Sequence, residues 1–191
     1  MKVSREEAAA NRERIVDVAS RLFREKGFDG IGVADLMKEA GLTHGGFYGH
    51  FESKDHLAEE ASNRAVERAL KRWRKIADGA GDDAFAALVK NYLSEERFSS
   101  PGSSCLFAAL GSEASRQRES VRRVFAESFE KFIAILADVA PGRTKAEKRK
   151  RAIAAFAEMV GALVLARAVN EPELTYEILR AATSDLMSRQ S

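Results

Sequence analysis

Cysteine and proline are scarce in this sequence. Cys105 is the single cysteine among 191 residues, which excludes an intrachain disulfide and any metal site built from several cysteines. Only three prolines interrupt a chain that is rich in alanine, arginine, glutamate and leucine, the residues that favour helices. The composition therefore predicts an all-α fold.

Long apolar runs and a strong excess of one charge are also missing. No run approaches the roughly 20 apolar residues that cross a bilayer, and the N-terminus lacks the apolar core of a signal peptide. We therefore expect a cytoplasmic protein with no membrane partner. The 31 basic residues nearly balance the 29 acidic ones, so the net charge of +2 selects no class of partner. Apolar residues at 45% and charged residues at 31% are typical of a globular chain.

Helical periodicity and glycines divide the first third of the chain into short helices. Ser4 caps an amphipathic helix that ends at Gly27. A second helix of about two turns covers residues 33–40, and Thr43 caps a third helix that runs to residue 51. Ser53 begins a fourth helix. Because a turn with glycine joins the second and third helices, the pair has the helix-turn-helix arrangement.

The third helix, residues 43–51, differs in composition from a core helix. Its aromatic residues Phe47 and Phe51 are four positions apart and therefore fall on one helical face. The remaining positions are polar or glycine instead of aliphatic, which leaves them for a partner outside the protein. We interpret this helix as one whose exposed face recognises DNA. The residues available for that role are Thr43, His44, Gly45, Tyr48 and His50.

Longer helices fill the remainder of the chain. The fourth helix is expected to reach about Ile76, and a loop at residues 79–83 separates it from a fifth helix. Residues 99–104 read SSPGSS, the most loop-like run in the chain, and a short apolar helix begins at Cys105. The last three helices are expected at about residues 121–136, 145–168 and 172–186. The pattern predicts about nine helices in all.

One motif spans the end of the third helix and the start of the fourth. Residues 47–57 read FYGHFESKDHL, and upstream residues 27–33 read GFDGIGV. Both runs resemble the TetR/AcrR family of transcriptional repressors, whose N-terminal domain ends in an aromatic-Tyr-x-His-Phe-x-Ser-Lys-x-x-Leu pattern. Leu36, Met37 and the AGL of residues 40–42 also fit, so the resemblance covers about residues 10–60.

The family resemblance implies both an architecture and a function. Residues 1–52 would form a three-helix DNA-binding domain of the helix-turn-helix type. Residues 53–191 would form a larger helical domain that binds a ligand and dimerises. The expected function is a ligand-responsive repressor that binds double-stranded DNA as a homodimer and is released from a palindromic operator by a small apolar or electrophilic molecule. No cofactor is implied.

The resemblance also assigns the DNA contacts. The third helix would lie in the major groove, and the N-terminus of the fourth helix would approach a phosphate. Gly32 departs from the family, because a serine or threonine usually caps the second helix there and contacts a phosphate; only backbone N–H groups remain for that contact. The implied DNA-binding residues are Gly32, Thr43, His44, Gly45, Tyr48, His50 and Lys54.

Two further sets of residues are expected in the C-terminal domain. Helices of this kind can leave a cavity between aromatic side chains, and we expect a ligand pocket lined by Trp73, Tyr92, Cys105, Phe107, Phe125 and Phe129. The helix at residues 145–168 is apolar on two faces, so we expect it to pair with the last helix and their symmetry mates in a dimer. The residues expected at that interface are Phe156, Val160, Leu163, Val164, Ile178 and Ala182.

Other interpretations remain open. Cys105 is either a small buried apolar residue or a thiol that senses electrophiles, because a helix N-terminus favours the thiolate. The three histidines lie six residues apart, not at the four-residue spacing that places two ligands on one helical face, so no metal site is predicted. No cluster of titratable residues and no cofactor motif indicates an enzyme. A helical binding or adaptor module without DNA binding is the remaining alternative, given Gly32 and the balanced charge.

Overall fold

The computed structural model describes residues 4–189, and within that range it contains helices and no strand. The all-α prediction is confirmed. The nine α-helices are α1 (Arg5–Lys26), α2 (Val33–Glu39), α3 (Lys54–Ala80), α4 (Ala84–Tyr92), α5 (Glu95–Ser99), α6 (Leu106–Ala114), α7 (Glu119–Val139), α8 (Lys145–Ala168) and α9 (Pro172–Ser188). Three short 3-10 helices cover His44–Gly49, Gly81–Asp83 and Pro101–Ser103. The outermost residues of the two expected domains, 1–3 and 190–191, lie outside the described residues.

The first helix begins and ends where its capping residues place it. The Ser4 hydroxyl accepts a hydrogen bond from the Glu7 N–H at 3.0 Å, which satisfies one of the free donors of the first turn. At the other end Gly27 has φ +83°, a conformation that glycine adopts without steric cost, and its N–H donates to the Phe23 carbonyl at 2.8 Å. Phe28 then turns back into the core, where it is 2% exposed.

The expected third helix is wrong in type and in length. The chain forms a 3-10 helix over His44–Gly49 instead of an α-helix over residues 43–51, and the Thr43 side chain makes no capping hydrogen bond. Three of the six residues in that helix are glycines, which disfavour an extended α-helix because they leave the backbone with the most conformational freedom to lose. The tighter turn still buries Phe47 (0% exposed) and Phe51 (2% exposed) together.

Two further boundaries differ from the sequence-based expectation. Helix α3 continues past Ile76 to Ala80, so the expected loop at 79–83 is reduced to a 3-10 turn. Helix α5 was not expected; Ser94 caps it by accepting a hydrogen bond from the Arg97 N–H. Cys105 is the N-cap residue of α6, so that helix starts one position later than expected.

Helix α3 lies at the centre of the packing. It contacts α1 near its beginning and α4 and α7 further along, and α8 packs on α7 and α9. Trp73 of α3 lies against Phe132 of α7, with ring centroids 4.9 Å apart, and Phe132 stacks on Phe156 of α8 at 5.5 Å. The aromatic core of the C-terminal helices is therefore built directly on the helix that begins beside the 3-10 helix His44–Gly49.

Neighbouring residues in that 3-10 helix provide a test of what holds it. Phe47→Ala should destabilise the protein by about 3–5 kcal/mol, because it removes a fully buried ring and leaves a cavity. Tyr48→Ala, one residue along but 68% exposed, should change the free energy of unfolding by less than about 1 kcal/mol. Urea unfolding followed by circular dichroism measures both. Equal effects of the two substitutions would show that Phe47 does not anchor the segment.

Candidate functional site

The 3-10 helix His44–Gly49 presents one large side chain outward. Tyr48 is 68% exposed, the most exposed of the large apolar side chains in the described part of the chain. Its ring packs edge-on against the buried Phe47 ring at 5.2 Å, and the His44 ring lies 6.4 Å from it. Tyr48 is therefore held on a buried aromatic base while its hydroxyl edge is free to contact a partner.

Two glycines leave the backbone beside Tyr48 open. A Cβ added at Gly45 or Gly49 would meet nothing within 4 Å, whereas at Gly46 it would face Met37 and Thr43. A flat or convex partner can therefore approach the main chain at Gly45 and Gly49 without a side chain in the way. Thr43 and His44, which precede Gly45, are exposed, and His50, which follows Gly49, is half-buried.

Two helix N-termini flank this segment. Gly32 is the exposed N-cap residue of α2, and its backbone has ordinary extended geometry with φ −82°. Lys54 is the first residue of α3 and is half-buried; Ser53 caps that helix by accepting a hydrogen bond from the His56 N–H at 3.1 Å. Exposed N–H groups at a helix start attract anions such as phosphate. The expected DNA-binding residues thus belong to the 3-10 helix and to the two helix starts beside it.

A contact between α1 and α3 supports the segment from behind. The Arg12 guanidinium lies over the Phe51 ring, 4.8 Å from its centroid, and Arg12 Nη1 donates to Glu60 Oε2 at 2.6 Å. That hydrogen bonding raises the pKa of Arg12. Glu60 also contacts His56 Nε2 at 3.0 Å. Sequence reasoning missed this group because Arg12 and Glu60 are 48 positions apart and no local pattern joins them.

Comparison with known proteins identifies this N-terminal arrangement. Residues 15–61 match the family described as "Bacterial regulatory proteins, tetR family". Over these residues the chain is similar to the TetR family. Two curated relatives from Staphylococcus aureus are the HTH-type transcriptional regulators SAB2452 of strain bovine RF122 / ET3-1, 32% identical over 79 residues, and SAUSA300_2515 of strain USA300, 32% identical over 74 residues. These matches cover 41% and 39% of this chain, and 43% and 40% of the relatives, so the chain spans less than half the length of the curated relatives it matches.

Solved structures share the fold along nearly the whole chain. Reduced NemR of Escherichia coli superimposes with a TM-score of 0.81 at 23% identity, covering 95% of this chain and 97% of that one. A TetR-family regulator from Cytophaga hutchinsonii gives a TM-score of 0.80 at 18% identity, with 98% of each chain covered. At these identities the likeness shows that the helical fold of the TetR family extends through the C-terminal helices.

The expected ligand pocket divides into two groups of residues. Trp73, Tyr92 and Cys105 line a narrow cavity of about 10 Å³, the room for roughly one water molecule. Phe107, Phe125 and Phe129 do not line it; they form an aromatic cluster with Phe132 and Phe156, in which Phe107 lies 5.2 Å from Phe125 and 5.3 Å from Phe156. The structure therefore brings three of the six residues together at a cavity and places the other three in an aromatic cluster, in which Phe125 is buried and Phe107 and Phe129 are half-buried.

Polar residues that sequence reasoning missed surround the same cavity. Its lining includes Arg72 of α3, Arg97 of α5, Asn91 of α4 and Ser104. Cys105 is 8% exposed and carries a free thiol. Burial raises the pKa of the neighbouring Tyr92 hydroxyl well above its ordinary value, so this group stays protonated. These residues come from separate helices, and no local sequence pattern indicates their convergence.

The expected dimer interface needs one correction. Phe156 and Leu163 are 2% and 1% exposed in the single chain, so they belong to its own core and have almost no surface left for a partner; the prediction is wrong for these two residues. Val164 is 41% exposed, while Val160, Ile178 and Ala182 are half-buried. The other large apolar side chains exposed on α8 and α9 are Ile153, Leu165, Leu174 and Tyr176.

Within residues 4–189, no group of three or more His, Cys, Asp or Glu side chains is placed to hold a metal ion. None of the helices there combines the length and apolar character needed to cross a membrane.

Proposed function

We propose that this protein is a ligand-responsive transcriptional repressor that binds operator DNA as a homodimer. The observation that carries the proposal is Tyr48, exposed to 68% on the 3-10 helix His44–Gly49, while Phe47 beside it and Phe51 three residues later are buried. A tyrosine that points outward from a buried aromatic ring, next to glycines that leave the main chain accessible, is suited to contact a partner molecule and not to pack in the core. Residues 1–52 would be the DNA-binding domain and residues 53–191 the ligand-binding and dimerisation domain, acting in the cytoplasm.

The contacts to DNA follow from the chemistry of each group. Thr43, His44 and Tyr48 would contact base edges and phosphates in the major groove, with Gly45 allowing the backbone to approach. His50 and Lys54 would hold the phosphate backbone, Lys54 at the start of α3, where the helix dipole also favours a phosphate. At Gly32 the contact would come from backbone N–H groups at the start of α2.

The proposed dimer uses the apolar surface that the single chain leaves exposed. Ile153, Ala157, Val160 and Val164 follow one another at helical spacing along α8, and all are exposed or half-buried. Ile178 and Ala182 of α9 would extend the same surface. Pairing the two helices with their symmetry mates would bury this stripe and produce two-fold symmetry, so the operator would be a palindrome.

Helix α3 would couple the ligand to the DNA. It begins at Lys54, beside the proposed DNA contacts, and its 27 residues extend about 40 Å. Trp73, near the far end, lines the internal cavity. A ligand that displaces α3 at Trp73 would therefore move the start of the helix and change the distance between the two 3-10 helices of a dimer.

Cys105 supports a second candidate function, a repressor that senses electrophiles through a thiol. The sulfur lies at the start of α6, and Arg72 and Arg97 line the same small cavity. Its low exposure of 8% opposes the idea, because a reagent must reach the sulfur.

DNA binding is tested by gel shift of the region upstream of the protein's own gene across a salt series. We expect sequence-specific binding that weakens with salt. Tyr48→Ala should weaken it about ten-fold or more, and Lys54→Ala should reduce the salt slope by about one because one phosphate contact is lost.

The matched control is Lys75→Ala, which removes the same charge from an exposed position further along α3 and should leave binding unchanged. Absence of specific binding at every salt concentration would contradict the repressor and favour the helical adaptor module.

The thiol candidate makes a separate prediction. Cys105→Ser should bind the operator as the wild type does and lose its release by a quinone or an aldehyde, because serine lacks the nucleophilic sulfur. The gel shift is repeated with and without the electrophile. Release of the serine variant at the wild-type concentration of electrophile would end this candidate.

A further inference from the structure

Four arginines from four helices lie close together beside the internal cavity. They are Arg24, Arg72, Arg97 and Arg167, and we call this group the arginine corner. Arg72 of α3 and Arg97 of α5 line the cavity, and Nη1 of Arg24, on α1, donates to the Ser104 carbonyl at 3.2 Å. Arg167 of α8 contacts the main chain of Arg97, because its Nη2 donates to the Arg97 carbonyl at 2.6 Å. The group joins the proposed DNA-binding domain, through α1, to three helices of the C-terminal domain.

These positive charges lack carboxylate partners. Among the described residues, no carboxylate lies within ion-pair distance of Arg24, Arg72 or Arg167. The one ion pair of Arg97 is with Glu96 at 3.8 Å, and the Glu96 side chain is 77% exposed. Burial lowers the pKa of Arg24 to about 10, and it lowers the pKa values of Arg72 and Arg167 as well. Partly buried cations without a counter-charge destabilise the fold, and an anion would offset that cost.

Buried polar groups at the same place also lack partners. Ser104 is 1% exposed and Tyr92 is 4% exposed, and within residues 4–189 neither hydroxyl has a hydrogen-bond partner of good geometry. The Nε groups of Arg24, Arg72 and Arg97 also find no partner in that range. All five groups, two hydroxyls and three guanidinium Nε atoms, can donate a hydrogen bond, so the arginine corner has more donors than acceptors. An oxyanion supplies several strong acceptors at once.

A groove leads from the surface to two of these arginines, Arg24 and Arg72. It has a volume of about 360 Å³, lies between α1, α3 and the turn at Pro101–Ser103, and shares Arg72 with the cavity. Arg24 lines it too, while Val18 and Ala65 provide apolar wall. The size is that of a small-molecule site. The other two arginines of the groove already have partners, Arg21 with Glu25 and Glu39, and Arg68 with Asp17.

We propose that this groove binds a small organic anion, a carboxylate or a phosphate ester. Its oxygens would contact Arg24 and Arg72, and its apolar part would lie along Val18 and Ala65. The proposal names the effector class of the proposed repressor, and its regulatory half rests on that function. Because the anion would tie α1 to α3, binding would fix the orientation of the first DNA-binding helix relative to the helix that leads to the dimerisation helices.

Binding is tested on the full chain without DNA. The probes are phenyl phosphate and benzoate, with benzyl alcohol as the neutral analogue, all at constant ionic strength in chloride. Trp73 is the only tryptophan and lines the cavity, so its emission reports the site, and the unfolding temperature gives a second readout. We expect at least one of the two anions to change the emission saturably and raise the unfolding temperature, and benzyl alcohol to do neither.

Variants locate the site. Arg72→Gln should weaken anion binding about ten-fold or more, since it removes a charge-assisted contact. Arg24→Gln should also weaken anion binding. Because Arg24 lies on another helix than Trp73, this variant controls for a direct effect of the Arg72→Gln substitution on the Trp73 emission. Arg74→Gln removes an equal charge from the exposed side of α3 and should bind as the wild type does. Cys105→Ser should also retain binding.

Three outcomes would overturn the proposal: no saturable response to either anion, equal affinity in Arg72→Gln and wild type, or loss of binding in Cys105→Ser, which would show that the probe depends on the sulfur and not on the arginines alone. None of these bears on operator binding, which is measured separately. In the gel shift, the active anion should release the wild type at concentrations that leave Arg72→Gln bound.

Discussion

The burial of Phe47 and Phe51 is the constraint on which the rest of this structure depends. The 3-10 helix His44–Gly49 contains Phe47 and ends two residues before Phe51. It is half glycine and has little stability of its own, so the two rings must hold it against the core. Arg12 stacks on Phe51 and hydrogen bonds to Glu60, which ties α1 to α3 at the same point. The exposed position of Tyr48 follows from this anchoring, because the ring of Phe47 before it and the ring of Phe51 three residues later are both buried.

Helix α3 connects this anchored segment to the remainder of the protein. Its N-terminus is capped by Ser53 beside Phe51, and its later turns place Trp73 in the aromatic core with Phe132 and Phe156. The arginine corner lies where α1 and α3 meet the C-terminal helices. A single continuous helix therefore touches the proposed DNA contacts, the proposed anion site and the core that supports the proposed dimer surface.

Local patterns predicted the parts of this fold that depend on local physics. The four-residue step between Phe47 and Phe51 predicted their shared burial, and Ser4 and Ser53 cap helices as expected. The 3-10 geometry was missed because periodicity does not distinguish it from a short α-helix. Phe156 and Leu163 were misassigned because a helix apolar on two faces does not reveal which face its own chain covers. The arginine corner could not be predicted from the sequence because its four residues are distant from one another along the chain.

The central claim is that two copies of the His44–Gly49 segment, held apart by a dimer, contact one operator. DNase I footprinting of the upstream region tests it most directly, with wild type, the Val160→Glu/Val164→Glu double variant and an Ala126→Glu control on the exposed face of α7. The account predicts two protected half-sites whose centres lie about one helical turn, or a multiple of it, apart for wild type and control. It predicts loss of that paired protection in the double variant. Absence of protection by the wild type, or an unchanged paired footprint in the double variant, would contradict it.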